Sequence, residues 1–172
     1  MATTEWMLDP PPALCQLQIY KGTEGMFACW ATCAEMVAKW KNRNTFFARP
    51  QFENLLENND LDSRANYLGF ILDWFNAWGF RGQNNGGFGT WTSAVLASYL
   101  YWKGPMVASG KFAHGLSTDQ MHDIAVYGVK NGQVYYIDPT DADKKTISIS
   151  SFQEKLWKSY NSVVARMTNY KS

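Results

Sequence analysis

Histidine and cysteine are scarce in this 172-residue chain: it holds two histidines, His114 and His122, and three cysteines, Cys15, Cys29 and Cys33. Two histidines leave few candidates for a base that titrates near neutrality. An odd, small number of cysteines argues against a disulfide framework and leaves at least one thiol free in any pairing scheme. There is no Cys-x-x-Cys pair, and the Cys and His spacings match no common zinc pattern, so neither a metal nor another cofactor is expected. Charge of one sign is also lacking. Sixteen Lys and Arg against fifteen Asp and Glu give a net charge of +1, which offers no footprint for nucleic acid or an anionic membrane. No stretch approaches the ~18 apolar residues of a membrane span. The N-terminal "MATTEWMLDPPPAL" has neither a charged n-region nor an apolar h-region, so the expectation is a soluble chain without a signal peptide.

Large apolar side chains are abundant. Hydrophobic residues make up 46% of the chain and aromatic ones 16%, enough for one well-filled core and too many for a disordered chain. The length fits one domain, expected over residues 15–172, preceded by an extended arm over residues 1–14 that ends in "DPPPAL" and cannot continue a helix.

The periodicity divides the chain in two. From Cys29 to about Lys41, Trp30, Cys33, Val37 and Trp40 recur at helical spacing. A second helix is expected from Pro50 through "RPQFENLLEN", and a third through "ANYLGFILDWFNAWGF", ending at Gly79. "RGQNNGGFG" reads as a loop, and "TWTSAVLASYLYWKG" as a helix closing on Gly104. After Gly104, "PMVASG", "HDIAVYGV", "QVYYID" and "TISIS" are short runs rich in Val, Ile and Tyr, and Asn131-Gly132 is a hairpin signal between the second and third. "SSFQEKLWKSY" reads as a helix with a Ser cap and Glu154 in its first turn, and "SVVARM" as a closing strand. The expected class is therefore α+β, a helical half packed on an antiparallel meander.

One constellation in this frame carries chemistry. Cys29 stands at the start of its helix, where the partial positive charge of the N-terminus favours a thiolate, although a cysteine there can equally pack as a small hydrophobe. Cys33, one turn further on, suits burial against the sheet. His122 opens one strand and Asp138 closes the next, nine residues before Asn131 and six after Gly132. Neighbouring strands lie ~4.8 Å apart, so the carboxylate can orient the imidazole. Nucleophile, base and orienting group thus occur in one consistent order. His114, in the polar stretch "KFAHGLSTDQ", is the alternative base.

"ACWATCAEMV", "KGPMVASG" and "HDIAVYGVKNGQVYYIDPTD" resemble the papain-like cysteine peptidases, in particular a compact bacterial branch that includes secreted effectors and the leader-processing peptidases of bacteriocin exporters. The likeness spans residues 25 to 140. It implies a papain-like fold with Cys29 as nucleophile, His122 as general base and acid, and Asp138 as orienter. Papain-like enzymes also place a Gln upstream of the nucleophile to hold the oxyanion. The expected position here is Thr23, the nearest upstream glutamines are Gln16 and Gln18, and Gln18 is the expected donor. A groove between the two halves is expected to be lined by Trp30, Gly86, Gly87, Phe88 and Trp91.

The resemblance implies a thiol protease acting on a protein or peptide substrate. The expected setting is a toxin or effector delivered by a secretion system into the cytoplasm of a target cell, with a cognate inhibitor, or immunity protein, that blocks the cleft. The same Cys–His chemistry would also serve a peptidoglycan amidase or a glutamine deamidase or acyl transferase, and the same fold could persist as an inactive binding module.

Overall fold

The Asn131-Gly132 pair sets the centre of the sheet. Both residues have positive φ, 51° and 70°, as a two-residue turn between right-twisted strands requires. The computed structural model describes residues 3–19, 28–41, 80–83, 90–112, 122–156 and 164–167. The turn joins β4 (His122–Lys130) to β5 (Gln133–Ile137), and the ladder runs from Lys130↔Gln133 to Ala125↔Ile137 with an irregularity between Val126 and Gly128. β3 (Met106–Gly110) pairs with the first half of β4, and β6 (Lys144–Ser148) with β5. These four strands form the expected meander.

The sheet is larger than that expectation. Among the described residues it has seven strands in the order β2-β7-β3-β4-β5-β6, with β1 (Trp6–Met7) paired to the second half of β4. β7 (Val164–Met167) lies beside β3, and β2 (Phe80–Gln83) flanks it on the outside. "FRGQ" therefore forms a strand, where composition suggests a loop from Arg81 onward. The arm is likewise held by backbone and side-chain hydrogen bonds: Leu8 N–H donates to Tyr127 O at 3.1 Å, Asn131 N–H to Glu5 Oε1 at 2.9 Å, and Trp40 Nε1–H to Asp9 O at 2.6 Å.

Four helices are described. α1 (Gln16–Ile19) is one turn, α2 (Cys29–Trp40) has the expected bounds, α3 (Ser93–Lys103) follows, and α4 (Ile149–Lys155) closes the set. Thr92 Oγ1 caps α3 by accepting from Val95 N–H, and Gly104 ends it at φ 78°. α4 is shorter and earlier than expected. Its cap is Ser148, whose Oγ accepts from Ser151 N–H, so Glu154 falls in the last turn. The helices expected from Pro50 and over residues 65–79 lie outside the described residues. No helix among the described residues is long and apolar enough to cross a membrane.

Strand alternation assigns the two faces of the sheet. Ala108, Ile124, Val126, Val134 and Tyr136 join Leu96, Ala97 and Leu100 of α3 and Phe152 of α4 in one buried cluster. The opposite face, carrying Asp123 and Ala125, receives α2, whose Cys29, Trp30, Cys33, Met36 and Val37 are buried. Cys33 is fully buried, as its place on the helix suggests.

Gly110 joins this frame to the His122 end of β4. It pairs with His122, bridges to Leu156, and has no room for a side chain: a Cβ there would strike the backbone oxygen of Lys155 and sit 2.7 Å from Phe112. Gly110→Ala should lower stability by about 1–3 kcal/mol, because backbone rather than a flexible side chain must yield. The urea midpoint measures this; an unchanged midpoint would show that the end of α4 yields freely.

Candidate active site

His122 lies at the start of β4, and Asp138 directly follows β5. The β4–β5 register, continued three residues past Ala125↔Ile137, brings His122 to Thr140, and the two-residue offset to Asp138 is closed by the side chains. His122 Nε2 lies 2.8 Å from Asp138 Oδ1 and 3.4 Å from Thr140 Oγ1, with both His122 and Asp138 buried. An Nε2–H that donates to the carboxylate leaves Nδ1 of the neutral ring as its basic nitrogen.

Asp138 is fixed from all sides. Thr140 N–H donates to Oδ1 at 3.0 Å, and the Lys145 ammonium donates to Oδ2 at 3.0 Å while also reaching Asp141 Oδ2 at 2.6 Å. Burial pushes the Asp138 carboxyl up, but His122, the Thr140 N–H and Lys145 together outweigh it and hold the group well below the usual carboxylate range. Burial lowers the Lys145 ammonium, and the two aspartates reverse this and raise it. Lys145→Met removes a partly exposed ion pair, so its cost in stability should be on the order of 0.5–1 kcal/mol. Urea titration at low and high salt checks this: the difference between wild type and variant should shrink as salt rises.

Cys29 begins α2 beyond Ala28, which offers no side-chain cap. Its thiol is buried and donates to Asp123 Oδ2 at 3.4 Å. Ser109 Oγ donates to the other oxygen, Oδ1, in a short hydrogen bond. Asp123 follows His122 directly at the start of β4, and its carboxylate meets the first turn of α2. Burial raises the Cys29 thiol well above its ordinary value, and the Asp123 carboxylate adds to the effect. Burial likewise raises Asp123, against the hydrogen bonds of Ser109 and Cys29 and the charge of His122.

The described residues thus hold a buried cysteine at a helix start and, at the start of β4, a histidine locked to an aspartate. A family model described as "Papain-like cysteine protease AvrRpt2" matches residues 11–157, most of the chain. This chain belongs to the AvrRpt2 family of papain-like cysteine proteases. No curated protein matches it. Membership makes the chain a cysteine peptidase, and its order of helix first and sheet second fits the papain-like fold.

Against the AvrRpt2-family assignment, the other expected site residues fall as follows. Gln18 is exposed on α1, whereas Gln16 is buried, and its N–H donates to Pro139 O at 2.7 Å, next to Asp138. Trp30 and Trp91, expected in the groove, are both buried: Trp30 within α2, Trp91 against Tyr99 and Phe152 with its N–H donating to Gln153 Oε1 at 2.6 Å. Gly86, Gly87, Phe88, Thr23 and His114 lie outside the described residues. The three cysteines are free, and the Cys15 thiol donates to Thr140 O at 3.2 Å. Sequence reasoning passed over Asp123, Ser109 and Lys145. Asp123 was signalled by its place beside His122, where a carboxylate inside an otherwise apolar strand needs a partner.

Proposed function

We propose that this AvrRpt2-family peptidase cleaves backbone amides of a protein substrate with Cys29 as nucleophile, His122 as general acid and base, and Asp138 as the orienter of His122. The observation that carries the reading is the 2.8 Å His122–Asp138 contact, at the strand end beside the helix that begins with Cys29. In the reaction, Cys29 Sγ first turns from Asp123 toward the His122 end of β4, Nδ1 of His122 takes the thiol proton, Sγ bonds to the substrate carbonyl carbon, and the amine leaves with the proton returned by the imidazolium. Water, deprotonated by the same nitrogen, then releases the acid. Asp138, kept ionised by Thr140 and Lys145, stabilises the imidazolium through Nε2–H. We assign oxyanion support to the Cys29 N–H and to Gln16, since Gln16 is the buried glutamine of α1 and Gln18 is not.

The biological setting we propose is that of a bacterial effector or toxin delivered into a target cell, with a cognate inhibitor that occludes the cleft in the producing cell. Family membership and the motifs around Cys29 and His122 support this setting. Incubation of the purified protein with a cell lysate, followed by mapping of new protein N-termini, is expected to give discrete cleavage sites. Cleavage of muropeptides without new protein termini would replace the reading with a peptidoglycan amidase. Conversion of glutamine to glutamate without backbone cleavage would replace it with a deamidase.

A further inference from the structure

The hydrogen bond from the nucleophile to Asp123 has no place in the mechanism above, yet it lies at its centre. Cys29 Sγ, Asp123 and Ser109 form a closed cluster between α2, β4 and β3, and all three residues are at most 5% exposed. Both donors of the cluster point at the carboxylate, Ser109 at Oδ1 and Cys29 at Oδ2. Among the described residues, the titratable groups facing it are few. β4 brings Asp123 and His122, α2 brings Cys33, the end of β5 brings Asp138, and β3 brings the neutral Ser109. Lys145 is held by Asp138 and Asp141.

We infer that Asp123 is a positioning residue that holds the resting nucleophile as a thiol, so that Cys29 and Asp123 share a single proton until substrate or a partner separates them. Two anions at this distance, both removed from water, repel strongly, so loss of a proton from the pair to solvent is opposed. Transfer within the pair is different. When the proton moves from Sγ to Oδ2, the S–H bond breaks, the O–H bond forms, the thiolate accepts a hydrogen bond from the new carboxylic acid, and the net charge stays at −1. The pair therefore titrates as a unit, and the reactivity of Cys29 reports on Asp123 as much as on Cys29 itself. Burial and the Asp123 charge both raise the thiol, in the same direction as the geometry. Ser109 keeps the carboxylate turned toward Cys29 by occupying its other oxygen.

The inference rests on Cys29 being the nucleophile, but its test needs no substrate. The rate of iodoacetamide addition at Cys29, followed by peptide mass spectrometry between pH 5 and 10, gives the apparent pKa of the thiol separately from Cys15 and Cys33. For the wild type the midpoint is expected at or above the ~8.5 of a free thiol. In Asp123→Asn the carboxamide can donate to a thiolate and carries no charge, so the rate at pH 6.5 should rise at least tenfold. Ser109→Ala should move the midpoint in the same direction by less. A merely structural Asp123 would leave the midpoint in place, and circular dichroism of each variant identifies any that fail to fold. A wild-type midpoint well below neutrality overturns the inference even if no variant folds, and so does an unchanged midpoint in folded Asp123→Asn. Loss of proteolysis claims in the lysate experiment would leave these midpoints readable, so the two failures are distinct.

Discussion

Cys29→Ala is expected to yield a folded protein whose peptidase turnover falls on the order of 10⁵-fold or more, the scale on which nucleophile removal acts in hydrolases that form acyl-enzymes. The fold should tolerate the change. Cys29 is 5% exposed in a row of small and apolar α2 residues, and replacing its thiol by hydrogen removes one sulfur's worth of packing and one donor to Asp123, about 1–2 kcal/mol in all. Protein cleavage by the purified variant, read beside its melting temperature, checks both parts. Turnover within tenfold of wild type would remove Cys29 from the mechanism. Loss of activity together with loss of folding would instead call for Cys29→Ser, which keeps a donor to Asp123.

Asp138→Ala has the next largest expected effect. His122 Nε2 loses its acceptor, so the ring can rotate and exchange tautomers, and turnover should fall by about 10²–10⁴-fold. Because the two residues act as a unit, His122→Ala combined with Asp138→Ala should be no slower than His122→Ala alone. The same variant changes the response to acid. The folded-state pKa of Asp138 lies below its unfolded value, so its contribution to stability is present above about pH 4 and is lost as pH falls through the folded value. Wild type should therefore lose stability between pH 4 and pH 2 more steeply than Asp138→Ala. At pH 7 the variant should be less stable by about 3 kcal/mol, since Lys145 and His122 are left facing an empty site. Urea midpoints across that pH range would decide; parallel curves would show that the carboxylate adds nothing to folding.

Much of this site was legible in the sequence because hairpin chemistry is local. Asn131-Gly132 demands positive φ, the turn fixes which strands are neighbours, and His122 and Asp138 are then placed on adjacent strands before any coordinates are known. The start of α2 was legible for a similar reason: the helical period of Trp30, Cys33, Val37 and Trp40 begins at Cys29. What the sequence concealed depends on faces and on distant partners. Asp123 sits one residue from His122, and only the packing of α2 brings its carboxylate to Cys29. Trp91 is aromatic and flanked by glycine-rich chain, which suggests a groove, yet Tyr99 and Phe152 claim it for the core. "FRGQ" lacks β-branched residues, and its strand depends on β7, more than eighty residues away. In α1, the choice between Gln16 and Gln18 depends on which side of a single turn meets the protein, and four residues carry too little periodicity to say.

The pairing of the arm has a consequence for the order in which this chain can assemble. Glu5 and Asn131, 126 residues apart, are joined by a hydrogen bond, and Trp6 pairs with Val129. During synthesis the arm leaves the ribosome well before the strand it needs is made. Until β4 and β5 have closed their hairpin, Trp6 and Met7 have no ladder to join, and the loop they must close runs all the way from Trp6 to Val129. The arm is thus a late-docking strand, whose pairing beside β4 waits on the hairpin that carries His122 and Asp138.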